Sequence, residues 1–212
     1  MAWNPSSNRV AFFTARSGRY ELFAVNADGT ELQQLTDGGT RGLGRAVWSH
    51  DGTKIATLEA VTNRAFVVDL TGPLPVKSPE PLPSLSDGSQ LSPYAWSFDD
   101  TRLLGTSTNG AVVVYSFRDR TYRQLAARGS GGPRWLPDGR RVIYSINDEF
   151  FLVDEQSGRI ERIGRSDEIE TIPEARANLA WSLSWDGAWL YRSRFVVQSD
   201  LWLMSPAATS SK

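Results

Sequence analysis

Trp48-Ser49-His50-Asp51-Gly52-Thr53-Lys54-Ile55-Ala56 is the stretch that decides the fold, because it recurs. It returns as Trp96-Ser97-Phe98-Asp99-Asp100-Thr101-Arg102-Leu103-Leu104 and again as Trp135-Leu136-Pro137-Asp138-Gly139-Arg140-Arg141-Val142-Ile143. A degraded first copy is Trp3-Asn4-Pro5-Ser6-Ser7-Asn8-Arg9-Val10-Ala11. In the last, Leu183-Ser184-Trp185-Asp186-Gly187-Ala188-Trp189-Leu190-Tyr191, leucine replaces the leading tryptophan. The copies start at 3, 48, 96, 135 and 183, spacings of 45, 48, 39 and 48 residues. A period of this size is the signature of stacked four-stranded sheets arranged radially.

Each copy reads as a hairpin. The Asp-Gly pair supplies a tight turn, since glycine accepts positive φ and aspartate bonds nearby amides. An apolar β-rich run follows: Val10–Phe13, Ile55–Leu58, Val142–Tyr144. Third strands are predicted at Tyr20–Val25, Ala65–Leu70, Ala111–Phe117, Glu149–Asp154 and Asp200–Met204. Fourth strands are predicted at Glu31–Thr36, Tyr122–Leu125 and Ile160–Ile163. No segment carries sustained helical periodicity, although Glu168–Arg176 could form one helical turn. A β-sandwich gives no reason to repeat this block. The expected fold is therefore all-β: a β-propeller of about five four-stranded blades, in one repeat domain over 1–206. The blades fall near 1–45, 46–92, 93–132, 133–179 and 180–206, with a polar tail at 207–212. The fifth blade is expected to lack its last strand, which describes either a small five-bladed ring with an imperfect seam or part of a larger propeller. An open blade edge offers backbone donors and acceptors for self-association.

The blocks Trp48-Ser49-His50-Asp51-Gly52 and Trp135-Leu136-Pro137-Asp138-Gly139 resemble the W-S-P-D-G core of the TolB-like (WD40-like, PD40) propeller repeats. The first blade continues in that style, with Ala11–Gly18, Leu22–Thr30 and Gln33–Thr36. The resemblance covers essentially the whole chain, apart from the extra N-terminal domain of TolB itself. It implies a scaffold, a sensor domain or the non-catalytic lid of a peptidase, and a parent that is exported or associated with the cell envelope.

Composition sets the outer bounds. A net charge of −1 gives no electrostatic pull toward nucleic acid or an anionic membrane surface. No stretch reaches the roughly 18–20 apolar residues of a membrane helix, and the opening Met1-Ala2-Trp3-Asn4-Pro5 shows no secretion signal. The compartment is left unknown. The absence of cysteine removes disulfides, zinc–thiolate sites and thiol catalysis.

Catalytic patterns are missing as well. His50 is the sole histidine and occupies a turn position of the repeat. Gly129-Ser130-Gly131-Gly132 precedes a strand, unlike a nucleophile elbow or a phosphate loop. Asp51, Asp99, Asp138 and Asp186 occur once per blade, which suits turn capping better than shared metal ligation. Trp3, Trp48, Trp96 and Trp135 share one repeat position and are read as core or inter-blade packing. Trp181, Leu183 and Trp185 would share one strand face in the last blade, with Trp189 and Trp202 nearby.

Binding is expected on the loops between second and third strands and between blades. Arg16, Arg19, Arg41 and Arg45 lie there near the first blade, and Arg128 and Arg134 lead into the fourth. Arginine suits carboxylate or phosphate recognition, while Asp148, Glu149, Glu168, Glu170 and Glu174 make the same face mixed. The segment Thr71–Pro93, with six prolines, is read as a semi-extended loop that replaces the last strand of the second blade. The expected function is a non-enzymatic scaffold for a protein, peptide or small ligand, with no cofactor, no metal, no nucleic acid and no membrane insertion. The alternative is an accessory lid or substrate filter of a larger prolyl-oligopeptidase-like hydrolase. A metal-dependent lyase propeller is poorly served by one histidine.

Overall fold

The computed structural model describes residues 1–16, 18–38, 43–59, 61–129, 132–147 and 149–165, together with the backbone of 181–183 and 190–192. Four antiparallel sheets of four strands run in chain order among these residues. They are β1–β4 (Ala2–Trp3, Arg9–Thr14, Glu21–Asn26, Gln33–Gln34), β5–β8 (Leu43–Trp48, Lys54–Glu59, Ala65–Asp69, Glu80–Pro81), β9–β12 (Leu91–Trp96, Arg102–Ser107, Val112–Ser116, Thr121–Ala126) and β13–β16 (Arg134–Trp135, Arg141–Ile146, Glu149–Asp154, Ile160–Arg165). A hairpin of β17 (Trp181–Leu183) and β18 (Leu190–Arg192) opens a fifth unit. Each four-stranded sheet is a simple meander, so every sheet is one repeat and the fold is an all-β propeller.

The register explains the repeat. Trp3 pairs with Val10, Trp48 with Ile55, Trp96 with Leu103, Trp135 with Val142, and Leu183 with Leu190. The same hairpin is therefore built five times. Ser49 Oγ donates to Asp51 Oδ1 at 2.6 Å and accepts the Lys54 amide at 2.9 Å. Ser97 does the same with Asp99 and the Arg102 amide, at 2.5 and 2.9 Å. Where Leu136 replaces the serine, Asp138 Oδ1 takes the Arg140 and Arg141 amides directly, both at 2.9 Å. The recurrent aspartates thus close turns; Asp186 lies outside the described residues.

Gly52 adopts φ 71° and Gly139 φ 64°, and at the matching position Asp100 adopts φ 54°. A non-glycine residue is uncommon there, though aspartate tolerates it better than most. Its carboxylate has a use: Oδ1 accepts the His50 amide at 2.7 Å and Oδ2 the Asp51 amide at 2.9 Å, tying the third sheet's turn to the second's. His50 Nδ1 lies 3.1 Å from the same carboxylate, and its ring packs 5.0 Å from Phe98.

The core lies between sheets. Leu22, Leu35, Trp48, Ile55 and Val68 fill the first interface, Leu82, Trp96, Leu103 and Val113 the second, and Leu104, Val114, Trp135 and Val142 the third. The indole N–H of Trp48 donates to the Ala2 carbonyl at 3.2 Å, and that of Trp96 to the Val47 carbonyl at 2.9 Å. Both acceptors immediately precede the tryptophan of the previous sheet, so each first strand is pinned to the next. Trp135 breaks the series: its Nε1 is buried with no hydrogen-bond partner among the described residues. Arg102 lies over its ring instead, 4.8 Å from the centroid, while bonding the Gly139 carbonyl and pairing with Glu155.

The proline-rich segment departs from the sequence expectation. It keeps a fourth strand, two residues long, with Pro81 opposite Phe66 and Glu80 opposite Val67. A proline tolerated at a sheet edge makes this strand legible only in three dimensions. Upstream, Val76 forms a parallel bridge with Thr36, donates to the Leu35 carbonyl at 2.8 Å and accepts the Asp37 amide at 3.0 Å. Leu74 and Val76 pack on the first inter-sheet core. The segment is a strap joining two sheets. The predicted strand Asp200–Met204, the helical turn at Glu168–Arg176, and the placement of Trp185, Trp189 and Trp202 lie outside the described residues.

Removing one pinning bond while keeping an aromatic ring isolates its contribution. Trp96→Phe should be more destabilising than Trp135→Phe by about 1 kcal/mol, the scale of one buried hydrogen bond, in urea denaturation. The turn carboxylates add a pH dependence. Bonds from the Ser49 hydroxyl and the Thr71 hydroxyl hold Asp51 and Asp69 below the usual 3.8. The Ser157 amide, its hydroxyl and Arg140 hold Asp154 at about 2. With folded values depressed, the unfolded chain binds more protons on acidification. The contribution is complete above 3.8 and lost as pH falls toward 2. The unfolding midpoint should fall across that window, and Asp154→Asn should make the fall shallower.

Candidate functional site

The first strands of successive sheets, β1, β5, β9 and β13, neighbour one another along the inside of the array. In a meander, the end where a first strand begins is also the end where the second and third strands turn. Two of these inner strands are bulged at that end. Gly44 and Arg45 together oppose Leu58, because Leu43 pairs with Glu59 and Ala46 with Thr57. Tyr94 is the extra residue on β9, between Pro93 opposite Gly105 and Ala95 opposite Leu104. Bulges re-aim side chains, and here they aim at one another.

The Arg45 guanidinium sits over the Tyr94 ring, 3.5 Å from its centroid, and that of Arg134 on β13 lies 5.7 Å from the same centroid. Three consecutive sheets each supply one member. Arg134 Nη1 donates to the Gly132 and Pro133 carbonyls at 3.3 and 3.0 Å. Gly132 makes room for the cluster, since a Cβ there would fall 2.1 Å from a Tyr94 ring carbon. Arg45 Nη1 is buried with no hydrogen-bond partner among the described residues.

Burial lowers the pKa of both guanidiniums. For Arg134 the positive charge of Arg45 adds to that effect, while the tyrosine works against it in both cases. Arginine nevertheless stays protonated in proteins. The result is a half-buried pair of fixed positive charges held against an aromatic face. A planar anion such as a carboxylate could satisfy the free N–H and relieve the repulsion at once.

Of the arginines expected to bind, the structure thus brings Arg45 and Arg134 together. Arg16 is exposed beyond β2, its amide donating to Thr14 Oγ1 at 3.3 Å, and Arg19 is exposed in the turn before β3. Arg128 is exposed after β12, and Arg41 lies outside the described residues. Sequence reasoning missed Tyr94 and Gly132. A tyrosine two residues before the repeat tryptophan carried no signal of its own, because the bulge that turns it inward is a property of pairing. Among the described residues no group of three or more His, Asp or Glu side chains could hold a metal ion.

No protein-family profile and no curated protein matches the chain. Solved structures do. TolB from Acinetobacter baumannii aligns with TM-score 0.66 at 20% identity, over 92% of this chain and 49% of its own. An oligogalacturonate lyase in complex with manganese aligns with TM-score 0.64 at 11% identity, over 93% of this chain and 58% of its own. A puromycin-hydrolyzing peptidase of Mycobacterium tuberculosis aligns with TM-score 0.55 at 17% identity, over 85% of this chain and 31% of its own. The chain therefore spans less than two thirds of each of these proteins. Repeated hairpin register, radial four-stranded sheets and these alignments agree that the chain has the TolB-like β-propeller fold.

Proposed function

We propose that the chain is a non-enzymatic binding scaffold whose inner strands hold an anionic group of a protein or peptide partner between Arg45 and Arg134. The observation that carries this reading is the buried, unpartnered Nη1 of Arg45 beside a second guanidinium on one tyrosine face. A buried donor without an acceptor is costly in the free protein, and a bound carboxylate removes that cost. The bonds of Trp48 and Trp96 fix the first strands that carry Arg45 and Tyr94, and Gly132 and Pro133 hold Arg134, so the geometry is ready before binding, which lowers the entropy lost on association. Fold alone does not assign a role, and this proposal rests on the site.

A second reading is supported by the alignment with part of a peptidase chain, 31% of its length. In it the propeller is the accessory lid or filter of a larger hydrolase, and the arginine pair would bind a substrate carboxylate on its way to a catalytic domain. Both readings require the same anion chemistry.

The test is fluorescence anisotropy with a labelled hexaglutamate peptide and its hexaglutamine counterpart at low salt. Hexaglutamate should bind and hexaglutamine should not. Arg45→Ala and Arg134→Ala should each weaken binding about tenfold or more, as expected for a charge-assisted pair, whereas Arg128→Ala should not. Equal binding by the two peptides, or full binding by both site variants, would overturn the proposal.

A further inference from the structure

Register and burial together single out one face of the first sheet. In the second, third and fourth sheets, the leading tryptophan and the residues paired beside it on the next two strands pack on the sheet before. Those sets are Trp48–Ile55–Val68, Trp96–Leu103–Tyr115 and Trp135–Val142–Val153, and every member is at most 5% exposed. The matching set in the first sheet is Trp3–Val10–Val25, and there Trp3 is 55% exposed. Phe12 and Gln34 lie on the same side, because both belong to the row that crosses at Phe23. Leu32, two residues before Gln34, shares that side and is 46% exposed. The four sheets and the β17–β18 hairpin thus leave an interface of the kind used three times elsewhere without its second half.

The face is apolar where it is open. Glu21, at its end, is 1% exposed and accepts the Thr36 hydroxyl at 2.5 Å. Two copies of the face can therefore meet without setting exposed like charges together. Its hydrogen-bonding groups are also self-complementary. The indole N–H of Trp3 makes no hydrogen bond among the described residues, whereas those of Trp48 and Trp96 bond the preceding sheet. At the opposite edge, Gln34 donates to the Thr36 carbonyl at 2.8 Å, and its amide oxygen accepts no bond among the described residues. A donor on the inner strand and an acceptor on the outer strand are what a two-fold axis joins, since such an interface uses one patch twice.

We infer that this face joins two copies of the chain about a two-fold axis parallel to its strands. That axis lays the inner strand of each copy over the outer strand of the other. Trp3 of one copy then covers Leu32 of the other, and its indole N–H turns to Gln34. Six-residue strands rising about 3.3 Å per residue, with three spacings of about 4.8 Å, make the face roughly 20 by 15 Å. Two such faces bury less than the ~1,200 Å² at which standard specific interfaces begin, so the dimer is weak and depends on concentration. The arginine pair shares no residue with this face, and neither proposal depends on the other.

Sedimentation velocity of the whole chain between roughly 1 and 500 µM spans the affinities that such an area supports. The mean mass should rise from one chain toward two and not beyond. Trp3→Arg and Leu32→Glu, at exposed positions that leave the core intact, should each weaken association about tenfold or more. Ile160→Arg, at a residue 47% exposed on β16, should leave it unchanged. Mixing Trp3→Arg chains with Leu32→Glu chains should restore association, because the new charges then face each other across the contact. A chain that stays monomeric at every concentration would overturn the inference and leave the face to some other sheet. Growth beyond two chains, an equal loss in Ile160→Arg, or failure of the mixture to associate would overturn it as well.

Discussion

An indole N–H reaching the backbone carbonyl of the preceding sheet is the contact on which the rest of the molecule depends. Trp48 bonds Ala2 and Trp96 bonds Val47, and in each case the acceptor is the residue just before the previous tryptophan. Trp48 and Trp96 thus each fill an inter-sheet core and fix the spacing of neighbouring first strands, whereas Trp3, read from the sequence as core, is 55% exposed. Sheets packed only by apolar contact could slide, because burial is non-directional. A directional bond at a constant repeat position removes that freedom. The turns reinforce it, with Asp100 bonding the His50–Asp51 turn and Arg102 reaching Gly139 and Glu155.

Once the first strands are fixed, their irregularities become useful. A bulge in a free strand would be absorbed by local shifts. Here it must project its side chain, and the bulges at Arg45 and Tyr94 project into the same space as Arg134. The site is therefore made from defects in an otherwise regular repeat. The third interface, where Trp135 lacks the pinning bond and Arg102 covers its ring, is the one from which Arg134 enters the cluster.

What could be read in the sequence follows the same division. The repeat was legible because equivalent hairpins make the same demands, so the strand pattern is written five times and the leading tryptophan four, with Leu183 in the last copy. The serine and aspartate of the turn were legible for the same reason. Tyr94, Gly132 and the two bulges each occur once and acquire meaning only through pairing with a partner strand. The strap was read as a loop in place of a strand, because its prolines hide a two-residue edge strand and a parallel bridge to Thr36. Arg45 and Arg134 were visible as arginines on one end of the blades. Their convergence on a tyrosine between them, across 89 residues of chain, was not.

The most direct measurement of the central claim, that the inner strands present an anion site, is a citrate titration followed by NMR of the arginine Nε–H resonances. The account predicts that Arg45 and Arg134 shift together along one saturating curve while the exposed Arg16 and Arg128 barely move. Shifts spread over the exposed arginines and linear in citrate, with Arg45 unmoved, would contradict it.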